Sequence, residues 1–255
     1  MKSNLVGFYT LFKREFLRFF KVPNNTIFPQ LITVLFYFLI FGIAIGSRIK
    51  EVSGVPYLLF ILPGLFVQVL INGSYSNPSG SLFMSRMWGS INDVLLAPIS
   101  HAQLTLAFIF AAMLRGIFLG IGAFLIAMIF MSVNIFNFWI LLAYVLLISF
   151  VFALVGIIVG LWSKTWEQLN IFINFIVTPL TFLGGVFYTL DMVPGLIAKI
   201  TVWNPIFYMI NGVRYGMLGI KDGSVYLGLL FLVIIGLAMF GFVFYLIKKG
   251  YNLRT

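Results

Sequence analysis

Charge placement constrains this chain more than any other feature. Residues 22–47, 52–85, 94–114, 116–163, 168–190 and 223–247 contain no Asp, Glu, Lys or Arg. A charged side chain at mid-bilayer costs roughly 2.5–3.5 kcal/mol even on a permissive insertion scale, so uncharged runs of this length mark membrane spans. Composition agrees: 62% of residues are hydrophobic and 9% charged, where a soluble domain carries roughly 25% charged residues. Too little polar surface exists to coat a water-facing globule, and lipid must solvate much of the outside. At about 20 residues per helical span plus short loops, 255 residues accommodate about six spans and leave no room for a sizeable soluble domain.

The run 116–163 is too long for one span and is divided by Asn134 and Asn137. The expected spans are therefore roughly 27–46, 57–78, 104–131, 138–162, 169–188 and 224–247. Six spans put both termini on one side. That side collects Lys2, Lys13, Arg14, Arg18, Lys21, Arg86, Lys164, Lys248, Lys249 and Arg254, whereas the other holds Arg48, Lys50, Lys199, Arg214 and Lys221. Basic residues concentrate in cytoplasmic loops, so both termini are expected in the cytoplasm. The same rule accounts for the net charge of +10 without a nucleic-acid partner. Lys13, Arg14, Glu15, Arg18 and Lys21 interrupt the apolar core that a cleavable signal peptide would need, leaving the first span as the expected signal.

Three segments depart from a plain six-helix pattern. In 1–22, Leu5, Phe8, Tyr9, Phe12, Phe16, Phe19 and Phe20 follow a helical rhythm while Arg14, Arg18 and Lys21 face away, as in an amphipathic helix lying at an interface of anionic lipid. A surface anchor and a gating element are both compatible with it. In 79–103, Arg86, Asn92 and Asp93 forbid a span, and a cytoplasmic helix about Leu82–Leu96, ended by Pro98, would expose apolar and charged side chains suited to docking, unless the segment is an ordinary loop. In 189–222, only fourteen uncharged residues separate Lys199 from Arg214, too few for a span. Trp203, Phe207, Tyr208 and Tyr215 suit headgroup depth, and Pro194, Pro205 and several glycines break the stretch into short re-entrant helices on the outer side, placed as if to cap an exit path.

Arg115 falls inside the third expected span. A buried intramembrane arginine is a functional candidate, and snorkelling or a bond to a neighbouring helix is the alternative. Glycine pairs at Gly42/Gly46, Gly116/Gly120, Gly156/Gly160 and Gly212/Gly216 permit close helix contact, more readily within the chain than at one particular dimer face.

Several chemistries are missing from the sequence. The six acidic residues, Glu15, Glu51, Asp93, Glu167, Asp191 and Asp222, all sit at loops or span ends, which disfavours coupling to an ion gradient. With no cysteine and one histidine, His101, the chain lacks a metal cluster, a redox pair and the usual catalytic constellations. A phosphate-binding loop requires glycine and then Lys with Ser or Thr at set spacing, but the single Lys-Thr pair, Lys164-Thr165, follows Ser163. No cofactor, metal or catalytic residue is expected on this chain.

The stretch TPLTFLGGVFYTLDMVPGLIAKITVWNPIFYMINGVRYGMLG, residues 178–219, resembles the signature of ABC-2 type exporter permeases. Pro179, Gly184, Gly185, Phe187, Tyr188, Pro194, Asn204, Pro205, Tyr208, Arg214 and Gly219 carry the likeness. It extends to LITVLFYFLIFG, FILPGL and LLAPIS earlier in the chain, and is nearest to the small six-span permeases related to nodulation-factor and daunorubicin exporters. The resemblance implies an all-α integral membrane domain over 1–255 that pairs as a homodimer in a bacterial inner membrane and works with two copies of a separate ABC ATP-binding subunit, which binds ATP and Mg. It places a coupling helix in the 79–103 connection, making Arg86, Trp88, Asp93, Leu95, Leu96 and Pro98 candidate contacts to that subunit. Relatives often carry Glu where Asp93 stands. Phe187, Tyr188, Asn204, Tyr208 and Arg214 become candidates for a substrate path or outer gate. The aromatic rings among them suit stacking against an amphiphilic substrate, or simple packing. A passive channel or lipid scramblase without an ATPase is the rival function.

Overall fold

The computed structural model describes residues 2–41 and 51–253. Twelve α-helices are described: α1 (Lys2–Lys21), α2 (Pro23–Thr26), α3 (Phe28–Leu39), α4 (Tyr57–Met87), α5 (Ile91–Leu96), α6 (His101–Phe130), α7 (Phe138–Trp162), α8 (Trp166–Ile171), α9 (Thr178–Phe182), α10 (Gly195–Trp203), α11 (Pro205–Leu218) and α12 (Val225–Lys249). A two-stranded hairpin, β1 (Glu51–Val52) and β2 (Val55–Pro56), precedes α4. It turns through Ser53 and Gly54, both at positive φ, as a tight two-residue hairpin requires. Nothing in the charge pattern announced it.

Among the described residues, α4, α6, α7 and α12 are long and apolar enough to cross a bilayer. The chain is an all-α, multi-pass membrane protein. These helices coincide with four of the six expected spans, although α4 runs nine residues past 78, to Met87. Of the other two, one is described only in part and one is interrupted. The span expected at 27–46 is helical as α3, and its continuation, with Gly42, Gly46, Arg48 and Lys50, lies outside the described residues. That expected at 169–188 consists of α8, a π-helical turn (Phe172–Val177) and α9, and closes at Gly184 and Gly185. Gly185 takes φ +84, which ends helical winding there.

The helix α4 forms the axis of the bundle, buried along most of its length and packed chiefly against α6 and α7. The glycine pairs explain how closely these helices approach. A Cβ on Gly73 would lie 2.9 Å from the Gly116 Cα, and one on Gly156 would lie 2.5 Å from the Tyr75 carbonyl oxygen. Backbone therefore meets backbone on both sides of α4, the close contact that small residues permit in lipid. A third pair, Gly212 and Gly216, seats α11 on Tyr144 and Leu141 of α7. Use within the chain is thus the role of the three described pairs.

At the α6–α7 connection, Asn137 caps α7 by accepting from the Ile140 amide at 3.1 Å, the role its short side chain suits. Backbone amides of Phe136 and Asn137 donate to the Met217 and Gly216 carbonyls at 3.1 and 2.8 Å. The connection thereby satisfies the free carbonyls at the end of α11.

Candidate functional site

Two groups of candidate residues lie at opposite ends of the bundle. At one end, Gly89 takes φ +71 and breaks the chain after α4, so the single helix expected over about Leu82–Leu96 is instead the tail of α4, a turn, and the short helix α5. The next helix begins with a capping box in which the Ser100 hydroxyl accepts from the Gln103 amide and the Gln103 side chain accepts from the Ser100 amide, a strong start signal.

The sides of α5 differ. Ile91 and Val94 are buried in a hydrophobic cluster with Leu11 of α1, Leu82 of α4, Phe108 of α6, Leu161 of α7 and Ile247 of α12. Burying two such side chains contributes about 1.5–3 kcal/mol each, so α5 is anchored in a cluster to which the major helices at this end all contribute. Its other side points outward: Asn92 and Asp93 are exposed, Leu96 is 85% exposed and neighbouring Trp88 is 67% exposed. Leu95 is half-buried and Pro98 is exposed. Of the six residues proposed for partner contact, Trp88, Asp93, Leu96 and Pro98 are thus available together.

Arg86 serves a different purpose. Its Nη1 donates to the carbonyls of Gly160, Leu161 and Ser163 at 2.9, 2.8 and 3.1 Å. These close the C-terminus of α7, where free carbonyls and the helix dipole both favour a cation.

Between α1 and the bundle lies a polar seam that the sequence reading missed. The Glu15 carboxylate, 1% exposed, accepts from Arg14 at 2.8 Å and from the Ser81 hydroxyl of α4. Arg18 does not face away as expected, but donates to Ser81 Oγ at 2.9 Å and Met84 Sδ at 3.0 Å. A signal was present: Glu15 stands four residues from both Leu11 and Phe19, which are buried, so it occupies the apolar side of α1. Arg115 of α6 is buried beside this seam, 5.1 Å over the Phe19 ring, with one long 3.4 Å bond to Asn77 Oδ1.

The opposite end carries the 178–219 stretch. Arg214 is fully buried, donates to Asp222 at 3.1 Å and to the Gly185 carbonyl at 2.5 Å, and stacks 4.1 Å over Phe60 of α4. Burial holds its guanidinium below the ordinary arginine range, with Asp222 opposing the shift, and burial likewise raises the Asp222 carboxyl against the pull of Arg214. Asn204 caps α11 through the Ile206 amide and donates to the Leu180 carbonyl. Tyr188 donates to the Leu183 carbonyl at 2.8 Å and meets the Thr201 hydroxyl at 3.0 Å. Phe187 stacks on Phe41 at 4.6 Å.

These four residues tie the α9 turn, α10 and α11 into one cap on α4. Tyr208 stands apart, against Phe207 and Phe231 of α12. Arg214 and Asn204 are locking groups in this conformation, presenting no free polar surface to a path.

A bundle of spanning helices with a seated, outward-facing helix at one end and a locked cap at the other defines a multi-pass helical membrane protein. Residues 6–218 match the model of the ABC-2 type transporter membrane family, and the chain belongs to that family. It is 34% identical over 251 residues, 98% of both chains, to the inner membrane transport permease YadH of Escherichia coli K12. It is 23% identical to Nodulation protein J of Rhizobium meliloti over 86% of this chain and 84% of that one. It is also 26% identical to the putative transport permease ycf38 of Cyanophora paradoxa, over 81% of this chain and 72% of that one. The chain is therefore a transport permease component rather than a catalyst in its own right.

Proposed function

We propose that this chain is the membrane-spanning permease of an ATP-driven exporter, acting as a homodimer with two copies of a separate ABC ATP-binding subunit. ATP and Mg would be held, and the ATP hydrolysed, on that partner, since the sequence here offers no phosphate-binding loop. Six spans place both termini in the cytoplasm of a bacterial inner membrane, with α5 on the ATPase side and α10–α11 as short re-entrant helices in the outer leaflet. The cargo is an amphiphile such as a lipid, a glycolipid or polysaccharide, or a drug.

The observation that carries this reading is the two-sided α5. Trp88, Asp93 and Leu96 are exposed for docking, while Ile91 and Val94 are set among residues from α1, α4, α6, α7 and α12. A close-packed contact transmits displacement, because it cannot be compressed. Approach of two ATPase subunits on binding ATP would push α5 and, through that cluster, tilt the helices around it. Rigid elements with two arrangements then carry the cargo from the inner to the outer face.

The test is coexpression with candidate ABC ATP-binding subunits from the same genome, comparing wild type with the Asp93→Arg, Leu96→Glu pair. Copurified ATPase and ATP turnover from wild type, both lost in the pair while its melting temperature stays unchanged, are the expected results. A wild-type permease that binds no ATPase would sink the reading and favour the passive channel or scramblase.

A further inference from the structure

We propose that the cavity between α1, α4 and α6 binds the anionic phosphate headgroup of a membrane lipid. The cavity measures about 340 Å³, and Arg18, Asn77, Ser81, Arg115 and Trp166 are among the residues that line it. This site is independent of the exporter reading, requiring neither an ATPase nor a transported cargo.

The first argument is unspent charge. Arg115 is 8% exposed and Asn77 6% exposed, yet the Arg115 Nε and the Asn77 Nδ2 have no hydrogen-bond partner. Buried donors are ordinarily satisfied, and a buried charge is ordinarily paired. The ion pairs among the described residues are Arg14–Glu15 and Arg214–Asp222, so neither Arg18 nor Arg115 has a carboxylate. Glu15 is the acidic group nearest the seam, and its oxygens are engaged by Arg14 and Ser81. Two guanidinium groups facing one cavity repel each other unless an anion joins them, and a phosphate accepts from both.

The second argument is depth. Trp139 and Trp162 are exposed near the two ends of α7, and their 23-residue separation is about 35 Å at helical rise. That matches two aromatic belts at the headgroup levels of one bilayer. Trp166, four residues beyond Trp162, lines the cavity. On α4 the distance from Tyr57 to Asn77 is about 30 Å, one hydrocarbon thickness. The cavity therefore opens where lipid phosphates lie, under the cationic amphipathic helix α1. A soluble phosphate compound has the same chemistry, but only a lipid brings its phosphate to this depth with the acyl chains already in hydrocarbon.

Native mass spectrometry of the purified full-length chain tests the assignment with phosphatidylglycerol, phosphatidylcholine and inorganic phosphate as probes. Phosphatidylglycerol is expected to bind at least tenfold more tightly than phosphatidylcholine. Arg115→Gln and Arg18→Gln should each weaken it at least tenfold, Arg115→Lys should stay within threefold, and Lys248→Gln, at the far end of α12, should change nothing. Should Arg115→Gln fail to fold, the half-exposed Arg18→Gln decides. Equal affinity for the two lipids, or binding unaltered in Arg18→Gln, overturns the site. Inorganic phosphate that displaces the lipid at equal concentration overturns the lipid as its ligand in favour of a soluble anion.

Discussion

Arg86 closes the end of α7 by donating to the Leu161 carbonyl at 2.8 Å. The same nitrogen also reaches Gly160 and Ser163, and Asn252 donates to Leu161 from the C-terminal segment at 3.2 Å. One cation thus fastens α4 to α7 just where α4 gives way to the turn into α5. Arg86, a candidate partner contact by its place in the sequence, braces α4 against α7 in this structure.

Arg86→Gln should therefore destabilise the permease on its own, by about 1–3 kcal/mol for charge-assisted bonds lost at a helix terminus. Thermal unfolding of the purified chain in detergent checks this. Asp93→Arg, which touches an exposed side of α5, should shift the same transition by no more than about 0.5 kcal/mol. Equal melting of Arg86→Gln and wild type would contradict the bracing role.

The cap depends on a buried pair, and its loss should be asymmetric. Arg214→Met removes the cation over Phe60 and abandons the bond to Gly185, leaving Asp222 without its counter-ion. Breaking a buried pair from one side costs about 3–5 kcal/mol. Asp222→Asn should be costly too, since Arg214 then keeps its charge in a buried site. The double variant Arg214→Met, Asp222→Asn should recover part of the loss, and a double-mutant cycle on melting free energies measures the coupling. Additive single effects would show that the two side chains do not depend on each other.

Much of this architecture is legible from charge spacing, and the exceptions have physical causes. α6, α7 and α12 fall almost on the expected ranges because polar caps mark where the helices begin within the uncharged runs, as Asn137 does for α7 and Ser224 for α12. The 79–103 connection was expected to hold one helix over about Leu82–Leu96, because Gly89 reads as an ordinary glycine until its φ of +71 shows where the chain turns. Arg214 and Asn204 carry the family likeness and were expected at a substrate path or outer gate. Their bonds to Gly185, Asp222 and Leu180 join residues separated along the chain, and only the fold shows those pairings. Glu15 escaped notice because its partner Ser81 is 66 residues away, although its place on the apolar side of α1 was visible.

Close packing on α4 supplies another test. Gly156→Leu would place a Cβ 2.5 Å from the Tyr75 oxygen and 2.7 Å from Pro78 Cγ, before the rest of the side chain is accommodated. Backbone cannot yield as a flexible side chain does, so the expected cost is at least about 1–3 kcal/mol. Gly241→Leu, on α12 with open space around it, should be tolerated. Size-exclusion profiles and melting of the two variants compare them directly, and a monodisperse, wild-type-like Gly156→Leu would refute the contact.

The seam between α1 and α4 yields the last prediction. Glu15 bridges Arg14 and Ser81 while Arg18 reaches the same hydroxyl, so Ser81 is the point that two groups on α1 share on α4, beside the weaker bond of Arg18 to Met84 Sδ. Ser81→Ala leaves the buried carboxylate with Arg14 alone and deprives Arg18 of its nearest oxygen, for an expected loss of about 1–3 kcal/mol from unsatisfied buried groups. Leu11 and Phe19 remain buried on either side and continue to hold α1 against α6 through apolar contact. The loss should therefore be local. Hydrogen exchange should accelerate in α1 of Ser81→Ala while α7 and α12 exchange as in wild type, because a helix held by fewer interactions opens independently of the core. Uniform acceleration throughout the bundle would mean that α1 and the spans unfold as one unit, and that the seam is part of the core rather than a latch upon it.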